Sequence, residues 1–388
     1  MLTETRNLHI AAAVLLSHVA VMLVCKSAVA APTAEELADL GQALFFDRNL
    51  SANRSQSCGS CHDPGHAFSD GRDNGVAGAV SMGDDGESLG DRNAPSTTYA
   101  FLIPDFHRNE QGDYVGGYFL DGRAATMVDQ AAEPFVNPLE MALPDHAAVV
   151  MRVSETPYYV ASLQKFFGES ILADADKSFR AITESIVAFE RTTTFAPFDS
   201  KYDRFLRGEY ELTEKEELGR VLFFSQLVNC GNCHLLDTRE FNRGELFSNH
   251  QYHNIGIPTN RQLRDKNGFG AELRDLGLLV NPRVNDQAWA GKFRVPSLRN
   301  VAVTGPYMHN GVFRELRTAV SFYNRFLLSD RQSQTNPETG EPWGEPEVAE
   351  TVDLDLLRSG QPLAENHIDA IVAFLETLTD RRYESLLH

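Results

Sequence analysis

Two five-residue runs constrain this chain more than anything else in it: Cys58-Gly59-Ser60-Cys61-His62 and Cys230-Gly231-Asn232-Cys233-His234. A C-x-x-C-H run is the attachment signature of c-type haem. Its two thiols form thioethers at the porphyrin edge, and the adjoining histidine turns beneath the ring as the proximal iron ligand. A redox dithiol or half of a zinc site also uses C-x-x-C, but neither explains a histidine directly after the second cysteine in both copies. Each copy therefore predicts one covalent haem c, with Cys58, Cys61 and His62 at the first iron and Cys230, Cys233 and His234 at the second.

The sequence around the two runs is itself duplicated. Leu40-Gly41-Gln42-Ala43-Leu44-Phe45-Phe46 is matched by Leu218-Gly219-Arg220-Val221-Leu222-Phe223-Phe224, and Ile186-Val187-Ala188-Phe189-Glu190 by Ile371-Val372-Ala373-Phe374-Leu375. Thr33 with Glu35 and Glu36, and Thr213 with Glu214, Glu216 and Glu217, read as helix starts. Apolar residues at three- and four-residue intervals predict closing helices over Phe179–Thr192 and Glu365–Leu378. Opening helix, haem run, loops and closing helix make the plan of a cytochrome c domain. The expected fold is mainly α: two cytochrome c-like domains, each with one covalent haem, at 33–195 and 205–388. The joint falls in Thr192–Asp203, which contains Pro197. Long loops, Gly71–Ser96 and Asn336–Glu347, wrap the haems rather than a sheet.

The N-terminus predicts export. Residues 1–30 hold Arg6, an apolar run from Ile10 to Val24 that is short for a membrane span, and a small-residue site at Ala28-Val29-Ala30. This reads as a signal peptide, leaving a periplasmic chain with no membrane segment. Of the five cysteines, Cys25 lies in that leader and the rest are haem thiols, so no structural disulfide is expected. The net charge of -19, from 54 acidic and 35 basic residues, lacks the basic footprint that nucleic acid requires.

With both proximal ligands assigned, function turns on the sixth position of each iron: an open one meets peroxide or oxygen, a filled one passes electrons. His66 is too close to His62 to cap the first ring from the opposite face and reads as a loop histidine. Beyond His234 the one methionine is Met308, a candidate ligand for the second. From the residues alone, Tyr323 is an ordinary core tyrosine and Glu140 a surface acid beside a proline turn. His107, His146, His250 and His253 show no ligand spacing.

From about Glu36 to Leu378 the chain resembles the di-haem cytochrome c peroxidase family. The resemblance rests on Gly305-Pro306-Tyr307-Met308-His309-Asn310-Gly311, and on Asp121-Gly122-Arg123-Ala124 followed by Gln130, Pro134 and Asn137-Pro138-Leu139-Glu140-Met141. It implies an open first haem, with Glu140 over the iron moving a proton between the peroxide oxygens, Gln130 positioning it and Pro134 crowding that face. In the family a methionine ligates the second iron fourteen residues past the histidine of the first motif. Here that place is Tyr323, as in the family's methylamine-utilisation branch. A phenolate is a hard anion that stabilises higher iron charge, whereas a thioether favours Fe(II). The resemblance also implies a calcium between the haems, at Asn93, Thr304 and Pro306. One departure is plain: a tryptophan usually precedes Asp-Gly-Arg, and Leu120 stands there. Only Trp289 and Trp343 exist.

The expected activity is that of a di-haem oxidoreductase. It uses peroxide or oxygen to oxidise a protein substrate, completing tryptophan tryptophylquinone in a methylamine dehydrogenase precursor, with a small cytochrome or cupredoxin as electron donor. The alternatives are a cytochrome c peroxidase reducing hydrogen peroxide, which predicts ligation by Met308, and a non-enzymatic electron carrier.

Overall fold

The computed structural model describes residues 31–236, 245–270 and 272–387; the leader reading at 1–30 lies outside them. Helices dominate: α1 (Ala34–Phe45), α2 (Cys58–Cys61), α3 (Met127–Val136), α4 (His146–Ser154), α5 (Pro157–Phe167) and α6 (Ala175–Glu190) come first. They are followed by α7 (Lys201–Leu206), α8 (Glu214–Phe223), α9 (Arg261–Asn267), α10 (Leu316–Ser321), α11 (Leu354–Leu357) and α12 (Glu365–Glu376). Among the described residues strand is limited to two antiparallel ribbons, β1 (His107–Arg108) with β2 (Tyr114–Val115), and β3 (Tyr252–His253) with β4 (Phe293–Arg294). Among the described residues no helix is long and apolar enough to cross a membrane.

The duplicated sequence folds into a duplicated crossing. Thr33 and Thr213 each close a capping box, with Glu36 and Glu216, at the start of α1 and α8. That arrangement satisfies two otherwise orphaned donors. α1 then packs on α6, and α8 on α12. Glycine sits at the contact in both pairs. A Cβ on Gly41 would lie 1.8 Å from the Ser185 carbonyl oxygen, and one on Gly219 would lie 1.9 Å from that of Ala370. Backbone meets backbone there, so no side chain can give way. Gly41→Ala or Gly219→Ala is expected to cost at least ~1–3 kcal/mol from overpacking, read as a lower denaturant midpoint with an unchanged slope.

Two large apolar clusters flank these crossings. One runs from Leu40 to Phe195 and gathers α1, α3, α4, α5 and α6; the other runs from Tyr202 to Leu378 and gathers α8 and α12. Two buried polar clamps join the halves. Arg92 forks onto Asp275 at 2.6 and 2.7 Å and reaches Asp121 at 2.5 Å with its remaining nitrogen. At the second clamp the Tyr99 hydroxyl donates to Asp380 at 2.5 Å, and Asn300 binds both Asp380 and Thr98.

Candidate functional site

Each haem run lies beneath the Phe-Phe pair that ends the opening helix. Phe46 lies over Gly59, leaving no room for a Cβ there, and Phe224 lies over Gly231. The runs differ locally: Cys58–Cys61 forms an α-turn capped by Ser57, whereas Cys230–Asn232 is a 3-10 turn entered through Asn229 at φ 58°. The four thiols are free and half-buried.

Both histidines are prepared in the same way for a metal. His62 Nδ1 lies 3.1 Å from the Phe68 carbonyl oxygen, and His234 Nδ1 lies 2.8 Å from that of Phe247. A carbonyl only accepts, so Nδ1 carries the proton and the Nε2 lone pair is left for iron. Phe68 and Phe247 share another feature, a left-handed backbone (φ 52° and 55°) that turns each carbonyl toward its histidine. Burial lowers the pKa of His62 and pushes that of His234 down to about 4, so both rings are neutral ligands at physiological pH. These rings and thiols fit covalent haem.

The surroundings of the two runs are not alike. Glu140 accepts from Asn137 Nδ2 at 2.8 Å. Burial raises its pKa against the opposing field of Arg123 and that hydrogen bond, and its own charge reaches both Cys58 and Cys61. Among the described residues the Gln130 amide makes no hydrogen bond, so the group holding the carboxyl in this structure is Asn137. Pro134 lies inside α3; it has no N–H to give the Gln130 carbonyl, and its own carbonyl accepts from Met141 N at 3.1 Å.

At the second run the nearby group is a phenol. Tyr323 lies on the 3-10 turn Phe322–Phe326 and is 37% exposed, yet burial raises its pKa and the Cys233 and Cys230 thiols add to that. The phenol therefore lies within reach of both thiols of the second run while much of its surface stays uncovered. Met308 packs instead with the apolar cluster of Ile257, Phe313, Phe322 and Trp343. His66 pairs with Asp63 at 2.8 Å on the surface. His309 is buried, stacked on Phe293 at 3.8 Å, and its Nε2 lacks a hydrogen bond.

Asn93 N donates to the His309 carbonyl oxygen at 2.7 Å, which sets its loop against the one carrying Thr304 and Pro306. No group of three or more His, Cys, Asp or Glu suited to a metal occurs among the described residues. A cation near Asn93 would therefore rest on amide and carbonyl oxygens, the donors calcium takes. At Leu120 the backbone carbonyl accepts from Arg294 N at 2.8 Å.

Sequence reading missed Glu190. This carboxyl is 3% exposed in the last turn of α6, its Oε2 is unpartnered, and its field reaches Cys58 and Tyr118. Burial alone pushes its pKa up to about 8. The repeat carries the only available signal, because the equivalent position is Leu375, a plain core residue. The unfolded chain ionises Glu190 near 4.5 and the folded chain only near 8. Its contribution is therefore full below pH 4.5 and is lost as pH rises through 8. Glu190→Leu is expected to remove that slope, worth on the order of a few kcal/mol, from a plot of unfolding free energy against pH.

The family described as "Di-haem cytochrome c peroxidase" matches residues 35–211. The methylamine utilization protein MauG of Paracoccus denitrificans is 51% identical over 358 residues, covering 92% of each chain. The MauG of Methylophilus methylotrophus is 27% identical over 75% of this chain and 73% of its own. The diheme peroxidase BthA of Burkholderia thailandensis superposes with a TM-score of 0.78 at 33% identity, covering 91% of this chain and 88% of its own. A BthA variant with methionine in place of one tyrosine gives 0.80 at 32% identity over the same shares. Sharing half its residues with a MauG across nine-tenths of both chains, this protein belongs to the di-haem cytochrome c peroxidase family of oxidoreductases, whose cofactors are two haem groups.

Proposed function

We propose that this chain is a periplasmic, MauG-like di-haem oxidase, exported by its leader at 1–30. It uses peroxide, or oxygen with electrons, to complete tryptophan tryptophylquinone in a methylamine dehydrogenase precursor. The observation that carries the reading is the asymmetry of the two haem runs, with a carboxyl, Glu140, beside the first and a phenol, Tyr323, beside the second. The name of the Paracoccus relative supports the choice of substrate.

In this reading the cytochrome c-like domains are 33–195 and 205–388. Cys58, Cys61, Cys230 and Cys233 hold the haems as thioethers, and His62 and His234 present Nε2 to the two irons. Bound haem supplies peroxide activation and one-electron transfer. Glu140 holds and moves the proton that peroxide cleavage needs, steadied by Asn137, while Gln130 and Pro134 shape the same face from α3. Tyr323 would supply a phenolate to the second haem, and a hard anionic oxygen there would stabilise the oxidised metal. Asn93, Thr304 and Pro306 hold calcium at the seam. A precursor protein is too large to enter either haem pocket, so it is oxidised through the protein by electron transfer. A small cytochrome or cupredoxin returns the electrons when oxygen is the oxidant.

The peroxide-scavenging alternative needs the Met308 sulfur at the second iron, and the packing of that side chain into an apolar cluster speaks against it. The deciding experiment mixes the holoenzyme with peroxide and a precursor dehydrogenase. Growth of quinone absorbance is expected; peroxide consumption driven by a reduced cytochrome, with no quinone formed, would overturn the reading.

A further inference from the structure

Arg294 is 5% exposed and sits opposite Tyr252 in the β3–β4 ribbon. Other deeply placed arginines each meet a carboxylate: Arg264 meets Glu347 at 3.0 Å, Arg299 meets Asp203 at 2.6 Å, and Arg92 meets Asp275 at 2.6 Å. Among the described residues Arg294 meets none. Its Nη1 donates to the Val295 carbonyl oxygen at 3.3 Å and faces His250 Nδ1 at 3.4 Å, while its Nε has no partner.

A guanidinium keeps its proton inside proteins, and a buried charge without a counter-charge costs several kcal/mol. The neighbours do not supply the missing charge. Burial and the guanidinium itself push His250 down to about 3, so that ring is neutral. Burial raises the phenol pKa of Tyr252 and pushes that of Tyr118 up to about 12, so both remain protonated. The Tyr252 hydroxyl is already spent on the Gly116 carbonyl oxygen at 2.5 Å.

The position of the guanidinium says what the anion is. Ser248 donates to the Val295 carbonyl oxygen at 2.7 Å and directly follows Phe247, whose carbonyl orients His234. On the other side, the Arg294 backbone bonds Leu120, and its charge reaches Tyr118 in the apolar cluster of the first half. The cation thus lies at the seam between the two haem-bearing halves. Each haem brings two propionate carboxylates, anions of the kind a buried guanidinium pairs with.

We propose that Arg294 anchors a haem propionate, its planar fork taking a carboxylate at the seam between the halves. The inference rests on the two haem cofactors of the family and not on the quinone-forming activity. Either haem offers the same chemistry, so the test reads the two separately.

Arg294→Met and Arg294→Lys are prepared as holoproteins, with haem content checked by the pyridine haemochrome spectrum. Each haem is then titrated redoxically, and the high-spin and low-spin signals are followed by low-temperature EPR. In Arg294→Met the anchored haem is expected to change its Fe(III)/Fe(II) ratio at fixed potential at least tenfold toward Fe(III). That is a fall of 59 mV for one electron, with the other haem moving less. Arg294→Lys keeps the charge but loses the fork. It should shift the potential less while still moving the propionate bending band in resonance Raman, and it decides the matter alone if the methionine variant does not fold. A larger shift at either haem identifies the one that is held. Unchanged potentials and an unchanged propionate band would overturn the inference, as would equal shifts of both haems with that band unmoved. None of these readouts depends on whether the protein makes quinone.

Discussion

Tyr323→Phe is expected to leave the fold intact and abolish the distinctive ligation of the second haem. The side chain is more than a third exposed within reach of Cys230 and Cys233, and among the described residues its hydroxyl makes no hydrogen bond. Removing one oxygen should therefore change stability by no more than about 0.5 kcal/mol. The chemical effect should be far larger. Loss of a hard anionic ligand raises the potential of the iron it served, and quinone formation should fall by about two orders of magnitude, ~2.7 kcal/mol of barrier. Low-temperature EPR and resonance Raman check the first part, through the disappearance of a phenolate signature. The second part is checked by the rate at which quinone absorbance grows. An iron–thioether band in the unaltered protein, insensitive to Tyr323→Phe, would return Met308 to consideration and leave a peroxide scavenger.

Glu140→Gln carries the second large effect. The amide keeps the shape of the side chain, and the Asn137 contact lies at its edge, so packing is preserved. A group that shuttles a proton in the rate-determining step contributes roughly 10²–10⁴-fold, and the bimolecular reaction with peroxide should slow by about that much in stopped-flow mixing. The pH profile gives a sharper sign. Because burial raises the Glu140 pKa, the carboxylate that acts as base appears only above the ordinary carboxyl range. The unaltered rate should therefore climb with pH through that raised value. Glu140→Gln should lose the climb as well as the rate. A variant as fast as the parent, with the same profile, would remove Glu140 from the chemistry.

Much of the architecture was legible before any coordinates. The mainly helical character follows from Thr33 and Thr213 with their downstream glutamates, and from the apolar spacing that marked both closing helices. α6 begins at Ala175 and ends at Glu190, a few residues from the expected Phe179–Thr192, because Asp174 caps it earlier through Lys177 N. The duplicated Leu-Gly motif pointed to equivalent helices, but not to the reason for the glycine, which is an approach of two backbones that only the tertiary crossing reveals. The carboxyl partner was also hidden. Gln130 and Asn137 both fall in the family motif, but it is Asn137, three residues before Glu140, that reaches the carboxyl across a turn.

Glu190 and Arg294 show where reading by pattern stops. A glutamate at the end of a helix and an arginine in a short extended run look like surface residues in a linear sequence, since such side chains are seldom buried. What distinguishes them is the lack of an opposite charge at depth. That property belongs to everything packed around a residue and leaves no local mark.

The two clamps described above have a bearing on timing. Arg92 with Asp121 and Asp275, and Tyr99 with Asp380 and Asn300, fasten the halves at separate points, so neither can serve as an axle for the other. An oxidising equivalent exchanged between haems held at the two runs would then cross a span fixed when the chain folded. Turnover would need no swing of one lobe toward the other, and solvent viscosity should leave the internal hop untouched while slowing the encounter with an outside protein.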